Sequence, residues 1–206
     1  MTTYENLRVA RRGPIVSIAA YLLLTIAKLI AGHFLNSSSL IADGFNNLSD
    51  ILGNVALLIG LQLASQPADS DHRFGHWKIE DLSSLVTSFI MFVVGFQVLI
   101  QTVRKIFLRE ETVVDPLGAT VGILSAIVMC GVYFYNKRLA KKLKSSALIA
   151  AAKDNLSDAV TSIGTSIAIV AASFNLTIID YITAIIITFF ILKTAYDIFM
   201  EATFSL

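Results

Sequence analysis

Two short stretches of this sequence share four consecutive residues, and both set oxygen-bearing side chains one helical turn apart. The first reads Asn46-Asn47-Leu48-Ser49-Asp50 and the second Asp154-Asn155-Leu156-Ser157-Asp158. Aligned on Asn-Leu-Ser-Asp, they match Asn46 with Asp154 and Asp50 with Asp158, each pair spaced i, i+4 and so stacked on one helix face. Two such helices face to face would hold all of these side chains between them. Both stretches sit in apolar surroundings, where an ionised carboxylate costs at least ~2.5 kcal/mol even on a lenient insertion scale. Lys28 and Lys153 are the nearby bases that could pair with the aspartates structurally. A bound cation accounts better for two matched pairs, because carboxylates converging without one repel each other and take up protons. Metal and proton would then compete for the same oxygens.

The elements that must position these residues follow from composition. Of 206 residues 55% are hydrophobic and 15% charged, more apolar surface than a soluble domain of this size can hide, and the mean hydropathy is +0.73. The expected fold is therefore an all-α membrane protein with six transmembrane helices, at about 13–35, 38–65, 79–107, 116–136, 146–173 and 176–200, each near the roughly 20 residues that cross a bilayer. Barrel-type alternation is absent, and no cleavage site follows the first apolar run, which reads as a retained span. A net charge of +1 excludes a nucleic-acid partner. Cys130 can form no internal disulfide and reads as a small core residue.

Charge sets the orientation. Arg8, Arg11, Arg12, Arg73, Lys78, Lys137, Arg138, Lys141, Lys142 and Lys144 fall on one face of a six-span chain, against Arg104, Lys105 and Arg109 on the other, where Glu110, Glu111 and Asp115 offset them. The positive-inside rule puts the larger set, and with it both termini, in the cytoplasm.

Together these motifs resemble the cation diffusion facilitator family of membrane transporters. The resemblance is carried by Ser39-Leu40-Ile41-Ala42-Asp43-Gly44 leading into Asn46 and Asp50, by His72-Arg73-Phe74-Gly75-His76 with Lys78 and Glu80, and by Asp154 with Asp158. It implies six helices in a homodimer, in a bacterial plasma membrane, and export of a divalent metal in exchange for protons. It also implies a transport site at Asn46, Asp50, Asp154 and Asp158. The family usually adds a cytoplasmic metal-binding domain after the sixth span, and residues 1–206 are expected to hold the transmembrane domain alone.

Substrate follows from the donors. One amide and three carboxylates form a hard oxygen set that suits Mn²⁺ better than Zn²⁺, and the combination resembles the family's manganese exporters, with Fe²⁺ and Zn²⁺ as rivals. No resident cofactor is expected. A second, peripheral metal site is conceivable in the loop holding Asp69, Asp71, His72 and His76, against the plainer reading of a solvated loop. Asp43 either lines the ion's path or makes an interhelical contact, Asp180 reads as a helix N-terminal carboxylate, His33 and Trp77 as interfacial residues, and Gly44, Gly53, Gly60, Gly95, Gly118, Gly122 and Gly164 as points of close helix approach. The rival class is a membrane-embedded hydrolase. It would need acid and nucleophile roles divided between its carboxylates, whereas the two pairs here repeat each other, and no His-Glu-x-x-His helix is present.

Overall fold

The computed structural model describes residues 9–63, 77–108 and 113–205. These form six long helices: α1 (Arg12–Phe34), α2 (Ser38–Leu63), α3 (Trp77–Phe107), α4 (Leu117–Leu143), α5 (Ser146–Ser173) and α6 (Thr177–Ser205). Five carry windows long and apolar enough to span a membrane. The exception is α2, whose 26 residues reach about 39 Å at 1.5 Å per residue but include Asp43, Asn46, Asn47, Asp50 and Asn54. A helix this polar is tolerated in lipid only when neighbours cover its polar face.

The helix limits lie within about two residues of the expected spans, except that α4 continues past residue 136 to Leu143 and α6 past residue 200 to Ser205. The expected boundary stopped where Lys137 and Arg138 begin. Lys and Arg are good helix formers whose long stems reach from an apolar surface to water, so charge alone does not end the helix. It ends instead at Lys144, with φ of 51°, whose N–H bonds the Ala140 carbonyl. Ser145 then caps α5 by accepting from the Leu148 N–H at 3.3 Å. The turns after α1 and α5 use Asn36 (φ 56°) and Asn175 (φ 66°), asparagine being among the few residues that tolerate the left-handed region.

The helices pair as α1 with α2, α4 with α5, and α3 with α6, and further contacts of α1 with α4 and of α2 with α5 join the first two pairs into a four-helix unit. Its surface is inverted relative to a soluble protein. Leu22, Leu23, Ile26 and Ile30 of α1, Ile123, Leu124 and Ile127 of α4, and Val160, Ile163 and Ile167 of α5 face outward, while Ser17, Lys28, Asp43, Asn47, Asn136, Asn155, Ser162 and Thr165 are fully buried. That distribution is stable only with lipid as the surrounding solvent, and the chain is an integral multi-pass membrane protein. Apolar clusters bracket the polar interior. Leu40, Val114, Ala119, Ile169 and Ala172 close one end, and Ala10, Ala140 and Leu148 the other.

Close approach between helices depends on some of the expected glycines. A Cβ on Gly122 would fall 2.2 Å from Ser166 Oγ and 3.0 Å from the Ser162 carbonyl oxygen, and one on Gly44 would fall 3.2 Å from Lys28 Cβ. Gly95 and Gly118 also lie at helix contacts, whereas Gly53 and Gly164 face open space; Gly13 and Gly32, not anticipated, are tightly enclosed.

Candidate functional site

The site is assembled where α1, α2 and α5 meet. Asn46 and Asp50 lie one turn apart on α2, and the Asn46 amide nitrogen donates to Asp50 Oδ2 at 3.1 Å and to Asp158 Oδ1 of α5 at 3.1 Å. One amide thus links two carboxylates from different helices. The amide stands where a cation would be attracted: between two acidic oxygens, inside the bundle. Rotated about its last torsion, the amide would offer its carbonyl oxygen in place of the nitrogen.

Asp154 is arranged differently. It is exposed, and among the described residues it makes no hydrogen bond or ion pair to the other three. The inward positions of α5 run through Leu148, Ala151, Ala152, Asn155, Asp158, Ala159, Ser162 and Thr165, with Asp154 at the edge of this stripe. Residue 155, not 154, is the one buried a turn below Asp158. Among the described residues no group of three His, Cys, Asp or Glu side chains stands close enough to hold a metal ion. The structure therefore joins Asn46, Asp50 and Asp158 and leaves Asp154 apart. The loop residues Asp69, Asp71, His72 and His76 lie outside the described residues.

Residues not singled out from the sequence complete the surroundings of Asp158. Tyr21 of α1, fully buried, donates its hydroxyl to Asp158 Oδ2. Asn155 Nδ2 donates to the Tyr21 hydroxyl at 2.9 Å, and Asn155 Oδ1 accepts from Asn136 Nδ2 of α4 at 2.7 Å. Ser17 Oγ joins, accepting from Asn136 at 2.8 Å. A signal for part of this was present: Asn155 belongs to the repeated Asn-Leu-Ser-Asp, and a tyrosine in an apolar span needs a partner for its hydroxyl. Its counterpart in the repeat, Asn47, is fully buried with neither amide atom bonded among the described residues.

A second polar cluster lies about two turns away along α1 and α2 and about one turn away along α5. Lys28 Nζ of α1 stands 2.9 Å from Asp43 Oδ2 of α2, both side chains being inaccessible, and donates to Ser162 Oγ of α5 at 2.9 Å. Ser162 donates in turn to Asp43 Oδ2 at 3.1 Å. Of the two lysines considered as partners, Lys28 pairs with Asp43 instead of with Asp50 or Asp158, and Lys153 is exposed. Asp43 makes an interhelical contact. Asp180 is buried at the start of α6 but caps α2: it accepts from the Ser38 N–H at 2.7 Å, from the Ser39 N–H at 3.3 Å and from the Ser37 hydroxyl at 2.8 Å. His33 is exposed and edge-on to Phe34, in keeping with an interfacial residue, and Cys130 is partly buried against the Tyr21 and Met129 cluster.

Residues 15–206 match the family described as the cation efflux transmembrane domain. The chain is 50% identical over its whole length to the manganese efflux system protein MneS of Bacillus subtilis, covering 71% of that protein. It is 46% identical to the uncharacterized transporter YdbO of the same organism, again over all of this chain and 71% of the relative. A more distant relative, the manganese efflux system protein MneP of Bacillus subtilis, is 27% identical over 94% of this chain and 67% of its own length.

Proposed function

This chain belongs to the cation efflux family of membrane transporters, and we propose that it exports Mn²⁺ across a bacterial plasma membrane in exchange for protons, as a homodimer, with Asn46, Asp50, Asp154 and Asp158 holding the metal and the aspartates exchanging it for protons. The observation that carries this reading is the Asn46 amide shared by Asp50 and Asp158 inside a bundle whose outer surface is apolar. Two acidic oxygens held on separate helices by one neutral donor are a cation site in waiting, and the relatives named for manganese efflux supply the ion. Oxygen donors alone suit Mn²⁺, the weakest binder in the first-row divalent series, because a site with nitrogen or sulfur would favour the later metals.

Alternating access gives each polar cluster a part. Asp154, exposed at the edge of α5, meets the ion as it arrives from the cytoplasm and swings toward Asp158 when the ion is held. On the far side, the Lys28–Asp43–Ser162 contacts tie α1, α2 and α5 together. They close the exit while the entrance is open. Rocking of α1 and α2 against α4 and α5 would exchange the two closures, and protons entering from outside would release the metal from its carboxylates.

The test is transport by the full chain in sealed vesicles, following Mn²⁺ and Zn²⁺ with and without a pH gradient. Gradient-dependent Mn²⁺ movement that is lost in Asp50→Ala and Asp158→Ala, with both variants still folded in the membrane, is the expected result. Normal flux in either variant would remove that residue from the site.

A further inference from the structure

The hydrogen bonds behind Asp158 all run in one direction. Asn136 Nδ2 donates to Asn155 Oδ1 at 2.7 Å, so the Asn155 amide is oriented with its nitrogen toward Tyr21, to which it donates at 2.9 Å. With that donor on its oxygen, the Tyr21 hydroxyl directs its own proton to Asp158 Oδ2. Three helices contribute, α4 through Asn136, α5 through Asn155 and α1 through Tyr21, and all three side chains are fully buried. The sequence of donors leaves Asp158 Oδ1 turned toward Asn46 and Asp50. An anchored carboxylate loses less rotamer freedom when it captures an ion than a free one does.

We propose that Tyr21 is a positioning residue for the transported metal, holding Asp158 through Oδ2 so that Oδ1 is presented to the ion, and that Asn155 and Asn136 fix the direction of the tyrosine hydroxyl. The inference rests on Asp158 being a ligand of the transported ion. Its consequence is an unequal division of labour between the acidic residues: Asp158 is preset by α1 and α4, whereas exposed Asp154 has no such anchor among the described residues. The ion's affinity therefore depends on an α1 residue that never touches it.

The test compares Tyr21→Phe, Asn155→Ala and Asp158→Ala with the unaltered full chain, using Mn²⁺ both in calorimetric titration in detergent and in vesicle uptake. Phenylalanine keeps the ring that packs with Leu24, Met129 and Ala159, so the variant should fold, with a lowered melting temperature because the buried Asn155 amide loses its acceptor. Loss of an outer partner of a metal ligand typically weakens affinity about 10–100-fold, and Tyr21→Phe should raise Kd and KM by a factor in that range while kcat stays within about twofold. Asn155→Ala should shift KM in the same direction, and it decides the matter if Tyr21→Phe does not fold. Unchanged Kd and KM in the folded variant, or a fall in kcat alone, would overturn the positioning role. If Asp158→Ala itself binds Mn²⁺ as well as the unaltered chain, the failure is of the transport site and not of Tyr21 alone.

Discussion

Lys28 of α1 and Asp43 of α2 form an ion pair at 2.9 Å with neither side chain accessible, Asp43 standing two turns before Asp50 on the same helix. A buried charge left without its partner is far more costly than the pair is favourable. Lys28→Met should therefore destabilise the protein by about 3–5 kcal/mol, the range measured when one partner of a buried pair is removed. Lys28→Met combined with Asp43→Leu should recover most of this, because no unpaired charge remains. Thermal melting of the single and double variants in detergent checks the expectation; additive losses in the double variant would show that the pair does not act as a unit.

Asp180 predicts a different pattern. Its carboxylate serves the first N–H groups of α2 from a helix distant in sequence, so it joins α6 to the N-terminus of the site-bearing helix. Cap removal costs about 0.5–2 kcal/mol, and Asp180→Ala should lower the melting temperature accordingly while Mn²⁺ affinity is retained. Asp180→Asn, which keeps one acceptor oxygen, should lose less. A large drop in affinity without loss of stability would instead put Asp180 on the ion's route.

Much of the fold was legible because lipid imposes a simple rule: runs of about 20 apolar residues must be helices. The repeat of Asn-Leu-Ser-Asp likewise marks α2 and α5 as helices that meet at the site. Rotation about the helix axis was harder to read. A spacing of four advances 400°, so Asp154 and Asp158 share a side only loosely, and the 40° offset is enough to leave one exposed while the other is buried. Asp180 was read as serving its own helix because local spacing cannot reveal that Ser37 to Ser39 arrive beside it from 141 residues away or more. Asn136 belongs to the same class, and even Lys28, conspicuous as a charge in an apolar span, shows its partners Asp43 and Ser162 only when three helices converge.

The α4–α5 contact supplies a paired control. Gly122 admits Ser166 and the backbone of Ser162, and Ser162 in turn bonds Lys28 and Asp43. Gly122→Val should force α4 and α5 apart, lowering stability by about 1–3 kcal/mol as overpacking does. Gly164, on the same helix as Ser162, has nothing within 4 Å of an added Cβ. Gly164→Ala should be neutral or gain up to about 1 kcal/mol from helix propensity. Equal damage from both changes, seen in melting profiles, would mean that Gly164 also lies at a close contact.

In the proposed site, metal choice would depend most directly on Asn46, whose amide bridges Asp50 and Asp158. Its carbonyl oxygen is a neutral, hard donor, and with it the site offers only oxygen. A histidine at this position would place an imidazole nitrogen among the same carboxylates, a donor that zinc favours over manganese. Asn46→His should therefore raise the ratio of Zn²⁺ to Mn²⁺ transported, about tenfold for every 1.4 kcal/mol of differential binding. Asn46→Asp keeps an all-oxygen site and should leave the preference with Mn²⁺, while the added negative charge between Asp50 and Asp158 must be met by the ion or by a proton. Competition uptake of the two metals in vesicles reads both effects. An unchanged ratio in Asn46→His would move selectivity away from the donor type and onto the spacing of α2 and α5.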